Sequence, residues 1–316
     1  MINLFHINQY QVDTSLFDHS LHGSIVQEFE EKFANYVGAK YACSLSSATN
    51  AIFLTFLNKN ATVKVPSMIP PVVLNAVING GNKISFTDDV TWVGSSYTLH
   101  EFESEGYRVI DSAQKVSKNQ FKNEASPNDL MIFSFYPTKP VGSLDGGIIV
   151  SDDYEKIKWF KEAALNGMSY SKNNWDREIK FPGWKMYMNT FQCFIANQNL
   201  EKLENKNKRL SEVRDRYNLE FSLNNISGHL YRLRVSNRNS FVEAMRSNGI
   251  ACGIHYAAAH LHPVYQKYCV SNTALPKSEL EHNLTVSIPY HEELTDYEIE
   301  TIIKSVRKHG DILEER

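Results

Sequence analysis

In the stretch "FSFYPTKPVGSLDGG", Lys139 lies between Pro137 and Pro140. Prolines on both sides exclude a regular helix and press the local backbone into extended or turn geometry. The lysine is therefore held in a connection between apolar runs, not displayed on a helix face. An amine kept among apolar groups loses its proton more readily and becomes a nucleophile toward carbonyls. Most lysines are simply exposed, so one lysine needs companions before it carries an argument.

Three companions stand elsewhere in the chain. "RVIDSAQ" ends an apolar run on Asp111, and a carboxylate there is expensive unless a cation or donors receive it. Gln114, three residues on, reaches toward the same place; a helix-capping aspartate is the competing reading. In "SLSSATNAIF" the small residues Ser46, Ser47, Ala48 and Thr49 lie between a strand-like run and a helix-like one. Free N–H groups at a helix start, with small residues in front, suit a phosphate. Plain N-capping explains the same residues. Ser134 ends the run before Lys139 and is a third candidate. A lysine amine, a carboxylate for a pyridinium nitrogen and a phosphate turn are together what pyridoxal phosphate requires of a protein.

Other chemistry finds less support. His255, His260 and His262 crowd "GIHYAAAHLHP", yet no cysteine or carboxylate completes a metal set locally, so substrate contact or packing is the preferred reading. Neither a Walker-type lysine loop nor a G-x-G-x-x-G turn is present, which leaves those routes to nucleotide binding unsupported.

The elements that must hold these residues are legible as periodicity. Ile25, Phe29, Phe33 and Tyr36 are spaced as one helix face, with Gly38 placed to end it. "YACSL", "VKVP", "KISF", "YRVID", "LMIFSF" and "GIIVS" are short strand-like runs interleaved with helical stretches. That alternation predicts an α/β fold with a large, mostly parallel sheet and with ligand chemistry at the strand ends. A helical pattern from Met186 to about Phe221 joins this part to a smaller α+β domain, in which "HLYRLRV", "RNSFVEAMRSNG", "IACGIHY" and "TDYEIETIIKSVRKHG" predict β, α, β and α. The expected division is residues 1–205 for the large domain and 206–316 for the small one.

Composition bounds the partners. The chain has 316 residues and a formal net charge of -3, so no basic stripe calls for nucleic acid. Cys43, Cys193, Cys252 and Cys269 form no C-x-x-C pair, and a reduced cytoplasmic setting is expected. Neither a signal peptide nor a membrane-length apolar run is visible, which predicts a soluble protein.

Set in order, these pieces resemble the DegT/DnrJ/StrS family of pyridoxal-phosphate-dependent sugar-nucleotide aminotransferases, of the aspartate-aminotransferase superfamily (fold type I). The resemblance covers most of the chain: "GSIVQEFEEKFANYVGAKYACSLSSATNAI", "VPS", "DSAQ", "FSFYPTKPVGSLDGG", "PGWKMYMNTFQCFIANQNLEKL", "GIACGIHYAAAHLHPVY" and "LTVSIPYHEELTDYEIETI". It implies Lys139 as the Schiff-base lysine and Asp111 as partner of the pyridine nitrogen. Gln114 would lie at the ring, with Ser47, Ala48, Thr49 and Ser134 at the phosphate. Lys185 would reach the phosphate of a neighbouring subunit, which implies a homodimer with shared active sites. The implied substrates are a nucleotide-linked keto sugar and L-glutamate as amino donor, with the cofactor cycling between pyridoxal and pyridoxamine forms. Arg177, Tyr187, His255, Tyr256 and His260, with Arg232 and Arg234, are the candidates for holding the substrate.

The chain also departs from the family pattern. Pro70 stands near the position of a residue that stacks on the cofactor in relatives. The stretch between "KISFTDDV" and "YRVID" is short, as though a helix were reduced to "TWVGSSYTL". Tyr187 and Thr190 replace commoner residues. Two alternatives follow: a non-catalytic homologue acting as a binding partner, and a pyridoxal-phosphate-dependent sugar dehydratase, which the presence of Lys139 disfavours.

Overall fold

The structure, a computed structural model, describes residues 1–169, 176–270 and 274–313. Its architecture follows from strands that are apolar on both sides. Every residue of β6 (Leu130–Ser134) and β7 (Gly147–Ser151) is buried. Leu130 and Ile132 enter one core with Ile149, whereas Met131 and Phe133 enter a second with Ile148 and Val150. A sheet buried on both faces needs helices on both. On the first face lie α2 (Ala48–Phe56), α3 (Pro71–Asn79) and α5 (Tyr154–Ala164). On the second lie α1 (Ser24–Val37), the short α4 (Gln120–Glu124) and the first half of α6 (Thr190–Phe221). The apolar face of α1 is centred on Val26, Phe29, Phe33 and Val37, with Ile25 and Tyr36 at its margins, and the helix ends at Gly38 as expected.

The α/β class holds, but the main sheet is mixed, not mostly parallel. The remaining strands are β1 (Tyr41–Leu45), β2 (Thr62–Pro66), β3 (Lys83–Thr87), β4 (Tyr97–Phe102) and β5 (Tyr107–Asp111). The main sheet runs β1-β7-β6-β5-β4, while β2 and β3 form a separate parallel pair. Within the five strands β5 and β6 are parallel, and the other three pairings are antiparallel. The reason is connection length: a parallel neighbour needs a crossover of about a dozen residues. Between β4 and β5 the chain turns back on itself through Glu103, Ser104, Glu105 and Gly106. The short stretch noted in the sequence, read there as a reduced helix, thus leads into a β-hairpin.

The second half of α6 belongs to a third core. Leu210, Val213, Tyr217 and Phe221 pack there with β8 (Tyr231–Arg234), β9 (Thr285–Ile288), α7 (Arg238–Ser247) and α10 (Asp296–His309). Ile2 joins the same core, its carbonyl accepting from Ala251 N–H. The short helices α8 (Pro263–Gln266) and α9 (Pro276–Leu284) complete the chain. Two local expectations change. The long helix starts at Thr190 and not at Met186, because Asn189 and Gln192 form a reciprocal capping box. "IACGIHY" is not a regular strand: Gly253 exchanges two hydrogen bonds with Ser287, and the strand paired with β8 is β9.

Aromatic packing ties the second face to the strand end that leads to Lys139. Phe33 lies 5.0 Å from Phe133 and 5.3 Å from Phe135, on either side of Ser134. Removing this fully buried ring leaves a cavity next to that strand end. Phe33→Ala is expected to lower stability by about 3–5 kcal/mol in urea denaturation.

Candidate active site

The sheet register assembles the site. Leu45 of β1 faces Gly147 of β7, and Gly147 faces Ser134 of β6. One strand over, Asp111 of β5 faces Ile132 on one side and Tyr97 of β4 on the other. The ends of β1, β6 and β5 therefore lie side by side, and the loops leaving them carry Ser47, Lys139 and Gln114.

The turn after β1 is both a cap and an open helix start. Ser47 Oγ accepts from Asn50 N–H at 3.2 Å, and Ser46 Oγ accepts from Asn50 Nδ2 at 2.9 Å. The capping reading is realised, yet the N–H groups of Ala48 and Thr49 open α2 and have no acceptor within it. Gly147 permits β7 to pass against this turn: a methyl there would press on Ala48 N and sit 2.7 Å from the Ser47 carbonyl carbon. That is a cradle of backbone donors which any side chain at 147 would fill.

Asp111 is buried, and each of its oxygens has a donor. Oδ1 accepts from Ala113 N–H at 2.9 Å, and Oδ2 accepts from the Tyr97 hydroxyl at 3.0 Å. Burial raises its pKa, opposed by those two bonds and by the charge of Lys139. Lys139 shows the mirror effect: burial pulls its amine down to about 8, while Asp111 opposes the shift. Desolvation outweighs the attraction in both. The amine therefore has a substantial neutral fraction near neutral-to-mildly alkaline pH, as a nucleophile requires.

His229, His255 and the N-terminal Phe5 gather near Lys139. His229 is buried, and burial with the nearby Lys139 charge holds it far below the ordinary histidine value. His255 is pulled down to about 4, by burial first and then by Lys139 and Arg232. Phe5 stacks on His229 and meets His255 edge-on, with ring centroids 5.7 and 5.8 Å away. Gln114 Nε2 donates to the Tyr256 hydroxyl at 2.8 Å, and Gln114 Oε1 accepts from Gly94 N–H at 2.7 Å.

Thus Lys139, Asp111, Gln114, His255 and Tyr256 gather in one place, with the Ser47–Thr49 turn and Ser134 at the neighbouring strand ends. Lys185 and Tyr187 run along the free edge of β1: Ser46 N–H donates to Met186 O at 2.7 Å, and Tyr187 bridges Leu45. Lys185 is exposed, and its charge and that of Arg177 both act on His22, whose ring lies tilted against Tyr187 at 4.3 Å. His260 lies apart. Its Nδ1 is 2.5 Å from Ser67 Oγ, and its Nε2 is 3.6 Å from Glu279. Arg234 pairs with Glu281, whereas Arg232 donates to the carbonyls of His255 and Val90.

The sequence reading did not single out Tyr97, Trp92 or His229. The first two were visible as aromatics in the shortened stretch. His229 left no local signal, because its proximity to Lys139 arises from packing of the two ends of the chain.

Three outcomes are expected. An amine-directed reagent applied across a pH series should modify Lys139 with a midpoint near 8, not 10.5, as followed by peptide mass spectrometry. Asp111→Asn removes the charge that favours the ammonium form, so the midpoint should move lower still. Gly147→Ala should destabilise the protein by about 1–3 kcal/mol and weaken inorganic phosphate binding at the turn, read by calorimetry.

Comparison with known proteins accounts for the arrangement. The family model for the DegT/DnrJ/EryC1/StrS aminotransferase family matches residues 9–91 and 109–307. A UDP-4-amino-4,6-dideoxy-N-acetyl-beta-L-altrosamine transaminase from Campylobacter jejuni is 26% identical, over 91% of this chain and 91% of its own. The aminotransferase TlmJ from Streptoalloteichus hindustanus superimposes with a TM-score of 0.82, at 22% identity and 98% coverage of both chains. Spr1654 from Streptococcus pneumoniae, solved in a PLP form, superimposes at 0.77 with 20% identity, over 96% of this chain and 97% of its own. The matched residues take in all but the ends and one internal stretch, and the chain belongs to the DegT/DnrJ/EryC1/StrS aminotransferase family.

Proposed function

We propose that this protein is a pyridoxal-phosphate-dependent aminotransferase that moves an amino group from glutamate to a nucleotide-linked keto sugar, in the making of amino sugars for surface polysaccharide. The observation that carries the reading is Lys139: an amine drawn down to about 8 by burial, facing a buried carboxylate, beside an open helix start. The site's residues fit the cofactor. The cradle at Ser47, Ala48, Thr49 and Ser134 suits its phosphate, and Asp111 suits its ring nitrogen.

When bound, pyridoxal phosphate supplies a carbonyl that captures amines and a ring that withdraws electrons from the carbon next to the captured nitrogen. Lys139 Nζ would hold the cofactor and, as a neutral amine, would carry the proton of the donor carbon. Asp111 holds the proton on the ring nitrogen, so the ring keeps its electron-withdrawing form. Gln114 and Tyr256, joined by their hydrogen bond, wall the ring region. His255, kept neutral by burial, adds no second positive charge next to Lys139. Arg232, at the same side, and Arg177 with Lys185 at the β1 edge are the cations assigned to the acidic groups of donor and nucleotide.

We also assign the active form as a homodimer. Lys185 is exposed next to the phosphate turn, where it is free to serve the turn of a second copy. The transaminase from Campylobacter jejuni carries a UDP-linked sugar in its name, which makes UDP-linked 4-keto sugars the first to try. Among the described residues no helix is long and apolar enough to cross a membrane, and no disulfide links the four cysteines. A cytoplasmic site of action fits both.

The test is chemical. Purified protein is incubated with pyridoxal phosphate, reduced with borohydride and digested, and the modified peptide is mapped. A pyridoxyl group on Lys139 is the expected result, with glutamate discharging the unreduced absorbance and Lys139→Ala abolishing both. An unmodified Lys139 in folded protein would falsify the reading.

A further inference from the structure

The family model passes from residue 91 to residue 109 without matching the segment between them. That segment forms one wall of the site. It contributes Trp92, Gly94 and Tyr97, and two of these contact residues assigned to the cofactor: Gly94 N–H bonds Gln114, and the Tyr97 hydroxyl bonds Asp111. Resting on the cofactor reading above, we propose that Tyr97 is a positioning residue for the Asp111 carboxylate, supplied by the β4–β5 hairpin and held in place by Trp92.

Register makes the contact specific. Tyr97 and Asp111 are directly opposite on antiparallel strands, so their side chains leave the same face of the sheet. The register shifts between Thr98 and His100, which leaves buried Leu99 as the extra residue of a bulge. Bulges re-aim side chains near sites, and this one lies two residues from Tyr97. The phenol ring is fixed in turn. Trp92 lies 4.7 Å from Tyr97, and it stacks on Tyr256 at 6.0 Å with 4° between the ring planes. Trp92 Nε1 is buried without a hydrogen-bond partner, so polarity does not account for its placement.

Geometry gives Tyr97 its effect. With Ala113 N–H on Oδ1 and the phenol on Oδ2, Asp111 cannot rotate, and its outward lone pairs stay aimed one way. A donated hydrogen bond also favours the ionised carboxylate, the form that can hold a proton on a ring nitrogen. Tyr97 remains the donor, because burial and the Asp111 charge both push its own pKa well up. The titratable groups facing Asp111 are Tyr97 from β4, Lys139 from the loop after β6 and Tyr256 from the irregular stretch after Gly253. Of these, Tyr97 alone is hydrogen-bonded to it among the described residues.

Tyr97→Phe keeps the ring against Trp92 and removes only the hydroxyl, which separates positioning from packing. In the apo protein the Asp111 carboxyl is titrated by carbon NMR on labelled aspartate, with Asp111→Asn giving the assignment. The variant midpoint is expected to rise by about one pH unit. In loaded protein the dissociation constant for pyridoxal phosphate is expected to rise on the order of tenfold. The nitrogen-15 signal of the labelled cofactor ring should move toward its unprotonated position. A role in packing alone would lower the melting temperature of the apo form and leave all three readouts at wild-type values, and that result overturns the inference. Should Tyr97→Phe not fold, Tyr97→His keeps a ring and a donor and is expected to hold the dissociation constant near wild type; a clear loss overturns it equally. Wild-type protein that takes no pyridoxal phosphate at Lys139 defeats the cofactor reading instead, while the apo titration still decides the link between Tyr97 and Asp111.

Discussion

The carboxylate of Asp111, at the end of a sheet buried on both faces, is the constraint to which the rest of the site answers. A charge taken out of water costs several kcal/mol unless donors receive it. Here a backbone N–H and a phenol do so, one on each oxygen. Lys139 faces it, yet the two do not behave as a plain ion pair. In such a pair each partner stabilises the other's charge, and the acid would fall while the amine rose. Both shifts run the other way, because burial dominates each. The protein holds an acid and an amine close together and leaves both short of charge compensation. Such an arrangement favours a ligand that brings its own charges and its own hydrogen bonds.

That shortage is maintained by what surrounds it. His229 and His255 are pressed toward their neutral forms by burial and by Lys139, so they fill space without competing with Lys139 as cations for Asp111. Phe5 packs against both from the opposite end of the chain. The N-terminal segment, the stretches carrying His229 and His255, and the loop after β6 thus meet over one amine. Helix α6 makes the meeting possible, since its first half is buried in the core on the sheet's second face and its second half in the third core.

What was legible in the sequence was local. Pro137 and Pro140 constrain Lys139 within a few residues, and the strand-to-helix step at Ser47 is written in consecutive small residues; both features are where the sequence placed them. The spacing in α1 identified Phe29 and Phe33 but set the face slightly off, since Val26 and Val37 belong to it and Ile25 and Tyr36 lie at its margins. Strand direction was not legible. Runs such as "YRVID" and "LMIFSF" are apolar whichever way their neighbours run, and direction depends on the length of the connections. The start of α6 shows the same limit: Met186 and Tyr187 fit a helical pattern, but hydrogen bonds to the β1 edge and the cap at Asn189 override it.

The pairing of Tyr97 with Asp111 lay furthest from view, although the two are only fourteen positions apart. A tyrosine in a glycine- and serine-rich stretch carries no mark of a partner. It gains one only when the chain doubles back through Glu103–Gly106 and one residue, Leu99, is left over in the ladder. Shift that register by one place and the phenol turns to the other face of the sheet. Asp111 would then keep its backbone donor and lose its side-chain one. The tight return through Glu103–Gly106 thus does more than close a hairpin: it sets an aromatic hydroxyl against the carboxylate on which the site is built.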